Sequence, residues 1–281
     1  MFRDPRGSHR RGLLSLKSQR RRELTSSALT SRKVITYCAA GLIAGFLSGF
    51  FGIGGGTIIV PLLVLCGFTQ RSAAATSLVA ILPSAVVGVI AYLLSGAVHY
   101  PAAILLACGI IAGAQIGTKL LVILPEKTLR WAFVICLAVM GAQQFIIEPG
   151  RGTAFTLTPG LGAGLVLLGV LTGILSGLLG IGGGIIVVPC LTTLFHVSDL
   201  TARGTSLLMM IPGTISGTVR NKKNNLTDIR VGAIIGVCAC LTTTFGKLAV
   251  EHTSPKTAAV LFGVYICILI IRSVAVALKK D

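Results

Sequence analysis

Apolar residues run almost without interruption from residue 34 to the C-terminal end, broken by short polar or glycine-rich points. In the first half the apolar pieces are about 34–51, 57–66, 72–94, 99–123 and 129–148. Four of these approach or exceed the roughly 20 residues a helix needs to cross a bilayer. The piece at 57–66 is too short and follows a glycine run, so it reads as a half-helix. Its counterpart in the second half, 184–195, is equally short. The pattern predicts that the first two pieces form a hairpin that enters and leaves on one face, with three full crossings after it. No short alternating segments of the kind that build a β-barrel are present.

The two halves are copies. Residues 45–61 read GFLSGFFGIGGGTIIVP and residues 173–189 read GILSGLLGIGGGIIVVP, 128 positions apart. Beyond the phrase the offset is 129, which aligns Thr76-Ser77-Leu78 with Thr205-Ser206-Leu207, Pro83 with Pro212, Gly88 with Gly217 and Gly117 with Gly246. Agreement over this length marks an internal repeat. The expected organisation is a basic tail at 1–33, a first transmembrane repeat at 34–148, a linker at 149–159 and a second repeat with a short tail at 160–281. The fold class expected is all-α, a polytopic transmembrane bundle built from two inverted repeats.

Inversion follows from charge placement. Cytoplasmic loops are enriched in Lys and Arg. With the basic tail inside, loop 95–101 falls outside and has no Lys or Arg. Its equivalent, 220–230, falls inside and carries Arg220, Lys222, Lys223 and Arg230. Lys247 and Lys256 fall outside, against the rule, with Glu251 as partial balance. Both termini are then cytoplasmic, most simply in the cell membrane; an organelle inner membrane is the alternative.

Composition agrees with a chain whose solvent is mostly lipid: 53% of residues are hydrophobic and only 12% charged, half the usual share for a soluble domain. The net charge of +17 is concentrated at the start, where residues 1–33 hold ten Lys/Arg against Asp4 and Glu23. Beside a bilayer such a block reads as a tail held near anionic lipid; its Arg- and Ser-rich, acid-poor character also fits a transit peptide. No nucleic acid is expected as partner. The eight cysteines all lie in apolar segments and none forms CxxC, so they read as small buried hydrophobes and no metal or cofactor is expected.

The candidate site is the pair of glycine breaks. An interrupted helix frees backbone groups, which is tolerated at membrane depth only where protein buries them or they line a wet cavity. Gly52, Gly54, Gly55 and Gly56, with Gly180, Gly182, Gly183 and Gly184, lack side chains. The half-helices that start at Thr57 and Ile185 present free N–H groups and a positive dipole end, which favour an anion. Two such ends brought together by inversion would form one anion site near the midplane. The competing reading is that these small residues only let helices pack closely. Thr76, Ser77, Thr205 and Ser206 are the polar candidates for ligand contact; alternatively their hydroxyls bond their own helix. Gln115 serves either as interhelical glue or as a lumen ligand, with glue favoured. Arg71 and Arg203 read as surface anchors.

All eight Asp and Glu lie in tails or near segment ends. Intramembrane carboxylates mark cation and proton paths, so their absence favours an anionic substrate and excludes an aspartyl protease. No histidine lies at the depth of Ser48 or Ser176, which excludes a serine protease.

The doubled phrase, each copy followed by TSL and a proline, resembles the sulfite exporter TauE/SafE family of membrane permeases over nearly the whole chain after residue 33. The resemblance implies a transporter of small sulfur-containing anions such as sulfite, sulfoacetate or another organosulfonate, and leaves the direction open; the expected function is secondary transport, taken as export, by rocking of one repeat against the other in alternating access. Its expected partners are the small anion, the lipid bilayer and, as a possible assembly, a second copy in a homodimer. The alternatives from other classes are a passive anion channel and a non-transporting membrane scaffold.

Overall fold

The computed structural model describes residues 31–146 and 159–279. The basic tail and the linker therefore lie almost wholly outside the described residues. Among the described residues ten helices follow in order: α1 (Ser31–Phe51), α2 (Gly56–Leu65), α3 (Gln70–Leu94), α4 (Tyr100–Ile123), α5 (Glu126–Ile146), α6 (Pro159–Leu179), α7 (Gly184–Thr193), α8 (Asp199–Lys223), α9 (Ile229–Glu251) and α10 (Pro255–Lys279). The five pieces read in each half are these helices, with boundaries within a few residues.

Among the described residues six helices are long and apolar enough to cross a membrane: Lys33–Phe51, Gln70–Leu94, Tyr100–Ile123, Gly160–Leu179, Ile229–Glu251 and Pro255–Ala275. The protein is thus a multi-pass membrane protein. The first arm of each expected hairpin, α1 and α6, is among these six, so each has the length of a full span. The half-helices α2 and α7 have 10 residues each, about 15 Å at 1.5 Å per residue.

The helix starts repeat with the sequence. Thr69 accepts the Ser72 N–H at 3.2 Å to cap α3, and its counterpart Ser198 accepts the Thr201 N–H at 3.3 Å to cap α8. His99 caps α4 through Nδ1 to the Ala102 N–H at 3.2 Å. Its counterpart Asp228 caps α9 by accepting from Arg230 and Val231. Each side-chain oxygen or nitrogen satisfies one of the orphan amides of a helix start.

Tertiary packing exchanges partners between the halves. α1 lies along α9, and α6, the counterpart of α1, lies along α4, the counterpart of α9. Glycines at one-turn spacing make these contacts. A Cβ on Gly41, Gly45 or Gly49 would overlap the backbone of Ile235, Ala239 or Thr243. A Cβ on Gly169, Gly173 or Gly177 would overlap Leu106, Ile110 or Ala114. Both sets advance in the same direction, so each pair is parallel. Close backbone approach through small residues replaces the hydrophobic drive that lipid removes. Gly45→Ala is therefore expected to destabilise the bundle by ~1–3 kcal/mol through overpacking, seen as a lower unfolding temperature in detergent.

The counterparts α3 and α8 cross in opposite directions: Gly88 faces Leu207 while Gly217 faces Leu78. The core where they cross, with Ile81, Met209 and Met210, is fully buried.

Candidate functional site

The helical hydrogen-bond ladder stops at each glycine run. On the first side the Gly52 N–H still donates to the Ser48 carbonyl at 2.8 Å; the ladder resumes where Ile58 and Ile59 both donate to Gly55. On the second side Gly180 donates to Ser176 at 2.8 Å, and Ile186 and Val187 both donate to Gly183. Between these points Gly52, Gly54, Gly55, Gly180, Gly182 and Gly183 all have positive φ, from 70° to 96°. L residues with side chains rarely hold that conformation. The N–H groups of Gly56 and Thr57, and of Gly184 and Ile185, precede the first bond of their half-helix and have no acceptor among the described residues.

The two breaks touch. A Cβ on Gly56 would overlap the carbonyl oxygen of Gly180, and one on Gly184 would overlap that of Gly52. Every residue from Phe51 to Thr57 and from Leu179 to Val188 is buried. Ile81 and Met210 close the sides, lying against Gly54, Gly56, Gly182 and Gly184. In this conformation the breaks are pressed onto each other rather than held apart around an open space.

The TSL serines clamp that contact reciprocally. Ser77 on α3 donates to Gly180 of the opposite break at 2.6 Å, and Ser206 on α8 donates to Gly52 at 2.7 Å. Their own helix carbonyls, Ala74 and Arg203, are also within 2.9 Å. The threonines work one residue earlier. Thr76 Oγ1 accepts the Asp228 N–H at 3.0 Å, and Thr205 Oγ1 accepts the His99 N–H at 3.0 Å. Each thus holds the cap of the opposite repeat's fourth helix. Thr57 shares a hydrogen bond with the Tyr265 hydroxyl. Gln115 stands apart from the breaks: its Nε2 donates to the Ser216 hydroxyl at 2.8 Å and carbonyl at 3.2 Å, which joins α4 to α8 as glue.

One expectation is corrected. Arg203 is not a surface anchor; it is 4% exposed. Its Nε and Nη2 bind Asp199 at 2.8–3.0 Å, and its Nη1 donates to the Phe50 carbonyl at the broken end of α1. Burial of a guanidinium is tolerable only with such pairing. Arg71, part-buried, donates to the Leu124 carbonyl that ends α4. Two further groups take roles that sequence reasoning did not give them, Lys247 having been read only as an outside charge balanced by Glu251. Lys247, 7% exposed, binds Glu251 at 2.7 Å and donates to Ser95. Tyr92 donates to the Gly49 carbonyl at 2.8 Å. The acid–base spacing of four residues in Asp199/Arg203 and Lys247/Glu251 was the available signal.

Two shallow recesses flank the breaks at equivalent positions. One is lined by Pro189, Thr192, Asp199, Arg203 and Phe262, the other by Pro61, Val64, Gln70, Arg130 and Phe133. Each lies beside a half-helix at its proline. Pro61 and Pro189 lack an N–H, so the carbonyl four residues earlier loses its helical donor.

A multi-pass helical bundle with paired, interrupted helices at its centre is the architecture of a membrane transporter. The chain belongs to the sulfite exporter TauE/SafE family, whose model matches residues 10–143 and 165–281. A probable membrane transporter protein of Xylella fastidiosa is 28% identical over 207 residues, covering 71% of this chain and 78% of that protein. One of Haemophilus influenzae is 29% identical over 264 residues, covering 85% and 96%. One of Methanocaldococcus jannaschii is 35% identical over 118 residues, covering 39% and 44%. No solved structure matches.

Proposed function

We propose that the protein is a secondary transporter of a small sulfur-containing anion, such as sulfite, sulfoacetate or another organosulfonate, exported by alternating access. It acts in the cell membrane with both termini cytoplasmic. The observation that carries the reading is the meeting of two half-helix starts, Gly56–Thr57 and Gly184–Ile185, at one buried point with main-chain amides uncommitted. Helix starts attract anions through those amides and the aligned dipoles. The family's description as a sulfite exporter supports the substrate class.

The two halves read as inverted repeats: counterpart helices α3 and α8 run oppositely, and each break is clamped by a serine of the other half. On this reading the pressed-together breaks are the closed conformation. Movement of one half against the other parts them and exposes the amides to a recess on one side at a time.

Purified protein in liposomes tests this. Sulfite uptake is expected to saturate and to be competed by sulfoacetate more than by sulfate. A scaffold predicts no uptake, and a channel predicts conductance without saturation; either result rejects the proposal. Ser77→Ala with Ser206→Ala, which removes both clamps while leaving every amide in place, is expected to lower the unfolding temperature and change the transport rate. Gly55→Ala is a poor discriminator, because φ at Gly55 is +71° and the added Cβ would lie 2.8 Å from the Ala44 carbonyl.

A further inference from the structure

The two broken helices end alike in backbone but differ in what meets their last carbonyls. At the end of α1 the Ser48 carbonyl accepts from Gly52 N–H, Gly49 from Tyr92, Phe50 from Arg203 and Gly52 from Ser206. At the end of α6 the Ser176 carbonyl accepts from Gly180 N–H and Gly180 from Ser77. There the correspondence stops. The counterpart of Tyr92 is Asn221 and the counterpart of Arg203 is Ala74. Nothing among the described residues donates to the Gly177 or Leu178 carbonyl.

Asn221 supplies the second observation. It is fully buried, and neither its Oδ1 nor its Nδ2 has a hydrogen-bond partner. It lies one turn beyond Gly217, which faces Thr118, and Gly177 also packs against Thr118. Gly217 and Gly177 thus both lie against Thr118 of α4, and Asn221 follows Gly217 one turn later on α8, at the position from which Tyr92 reaches Gly49 in the other half. The side chain of Asn221 is shorter than that of Tyr92, so it does not extend as far toward the helix end as tyrosine does.

We infer that the Gly177 and Leu178 carbonyls with Asn221 Oδ1 form a binding site for a small monovalent cation, sodium in the first instance. Three neutral oxygens at the negative end of a helix dipole favour a hard cation. Broken-helix carbonyls are suited to this task in a membrane. The electrostatic contrast between the halves points the same way. At α1 a fixed cation, Arg203, occupies the helix end with Asp199 as its partner. Lys247, counterpart of Thr118, has its backbone N against Gly49, while its ammonium is held by Glu251 and Ser95. At α6 those positions are Ala74 and Thr118. Arg71, three residues before Ala74, is directed to Leu124 at the end of α4. The recess equivalent to that of Arg203 holds Arg130, paired with Glu126, but the Gly177 and Leu178 carbonyls accept from no side-chain cation among the described residues. The site stands on the α6 end alone, whereas its role as coupling ion rests on the transport reading above.

The test uses the full-length protein in detergent with radioactive sodium, and then liposomes with sulfite. Wild type is expected to bind sodium saturably and to unfold at a higher temperature in sodium chloride than in choline chloride. Asn221→Tyr installs the cap that Tyr92 provides in the other half; it should fold and lose sodium binding. Asn221→Ala and Asn221→Asp read the same contrast without added bulk: binding at least tenfold weaker in the first and equal or tighter in the second. Absence of sodium binding by wild type, or binding unchanged in Asn221→Ala, overturns the site and leaves only a buried amide with water. Sodium binding without sulfite movement supports the site and overturns the transport reading. Sulfite movement equal in sodium and choline, with no sodium binding, does the reverse.

Discussion

Asp199→Ala is expected to destabilise the folded protein by about 3–5 kcal/mol, the usual cost of stranding one member of a buried ion pair. Asp199 lies at the first residue of α8, where the helix dipole already favours a carboxylate. It holds Arg203 through both oxygens, the shortest contacts at 2.8 Å, and the two side chains are 13% and 5% exposed. Without it the guanidinium retains only the Phe50 carbonyl and the nearby Phe50 ring. A buried unpaired charge is far costlier than a buried pair. Arg203→Ala with Asp199→Ala should therefore be less destabilised than Asp199→Ala alone, leaving an orphan Phe50 carbonyl worth about 1–3 kcal/mol. Thermal unfolding of the two single variants and the double variant in one detergent completes the cycle. Additive effects within ~0.5 kcal/mol would show that the two residues do not act together.

That pair shows where reading the chain alone reached its limit. The spacing of Asp199 and Arg203 was visible, yet a charged residue beside a short segment was assigned to the surface. Its burial follows from α1, whose broken end lies 153 residues earlier and demands a donor at Phe50. The half-helices were legible because a glycine run followed by a proline interrupts an apolar stretch in only a few physical ways. The TSL motifs were legible as important and illegible in role. Ser77 meets Gly180 across 103 residues, and Ser206 meets Gly52 across 154, so no local rule supplies the partner. The same limit applies to the glycine stripes. Gly41, Gly45 and Gly49 announce close approach by some helix, but a stripe without side chains carries no record of which one. The choice of α9 is made by the complementary surface at Ile235, Ala239 and Thr243.

Gly56→Ala and Gly184→Ala are each expected to cost ~1–3 kcal/mol of stability and to reduce sulfite movement at least tenfold. Gly67→Ala should cost ~1–2 kcal/mol with transport unchanged. The comparison isolates two different reasons for glycine. Gly67 has φ +97° and nothing within 4 Å of a built Cβ, so its substitution strains only the backbone. Gly56 and Gly184 begin helices without positive φ, so an added methyl strains the contact with the opposite break and with the Ile81 or Met210 side chain that closes it, not the backbone. Because Gly56 meets Gly180 and Gly184 meets Gly52, the two contacts are reciprocal parts of one surface. A methyl at either place pries that surface apart and relieves part of the overlap at the other. Gly56→Ala with Gly184→Ala should therefore cost less than the sum of the single changes, the coupling expected of residues that share an interface. Strict additivity together with normal transport would mean that the breaks meet without that meeting being used, and the glycines would then serve packing alone.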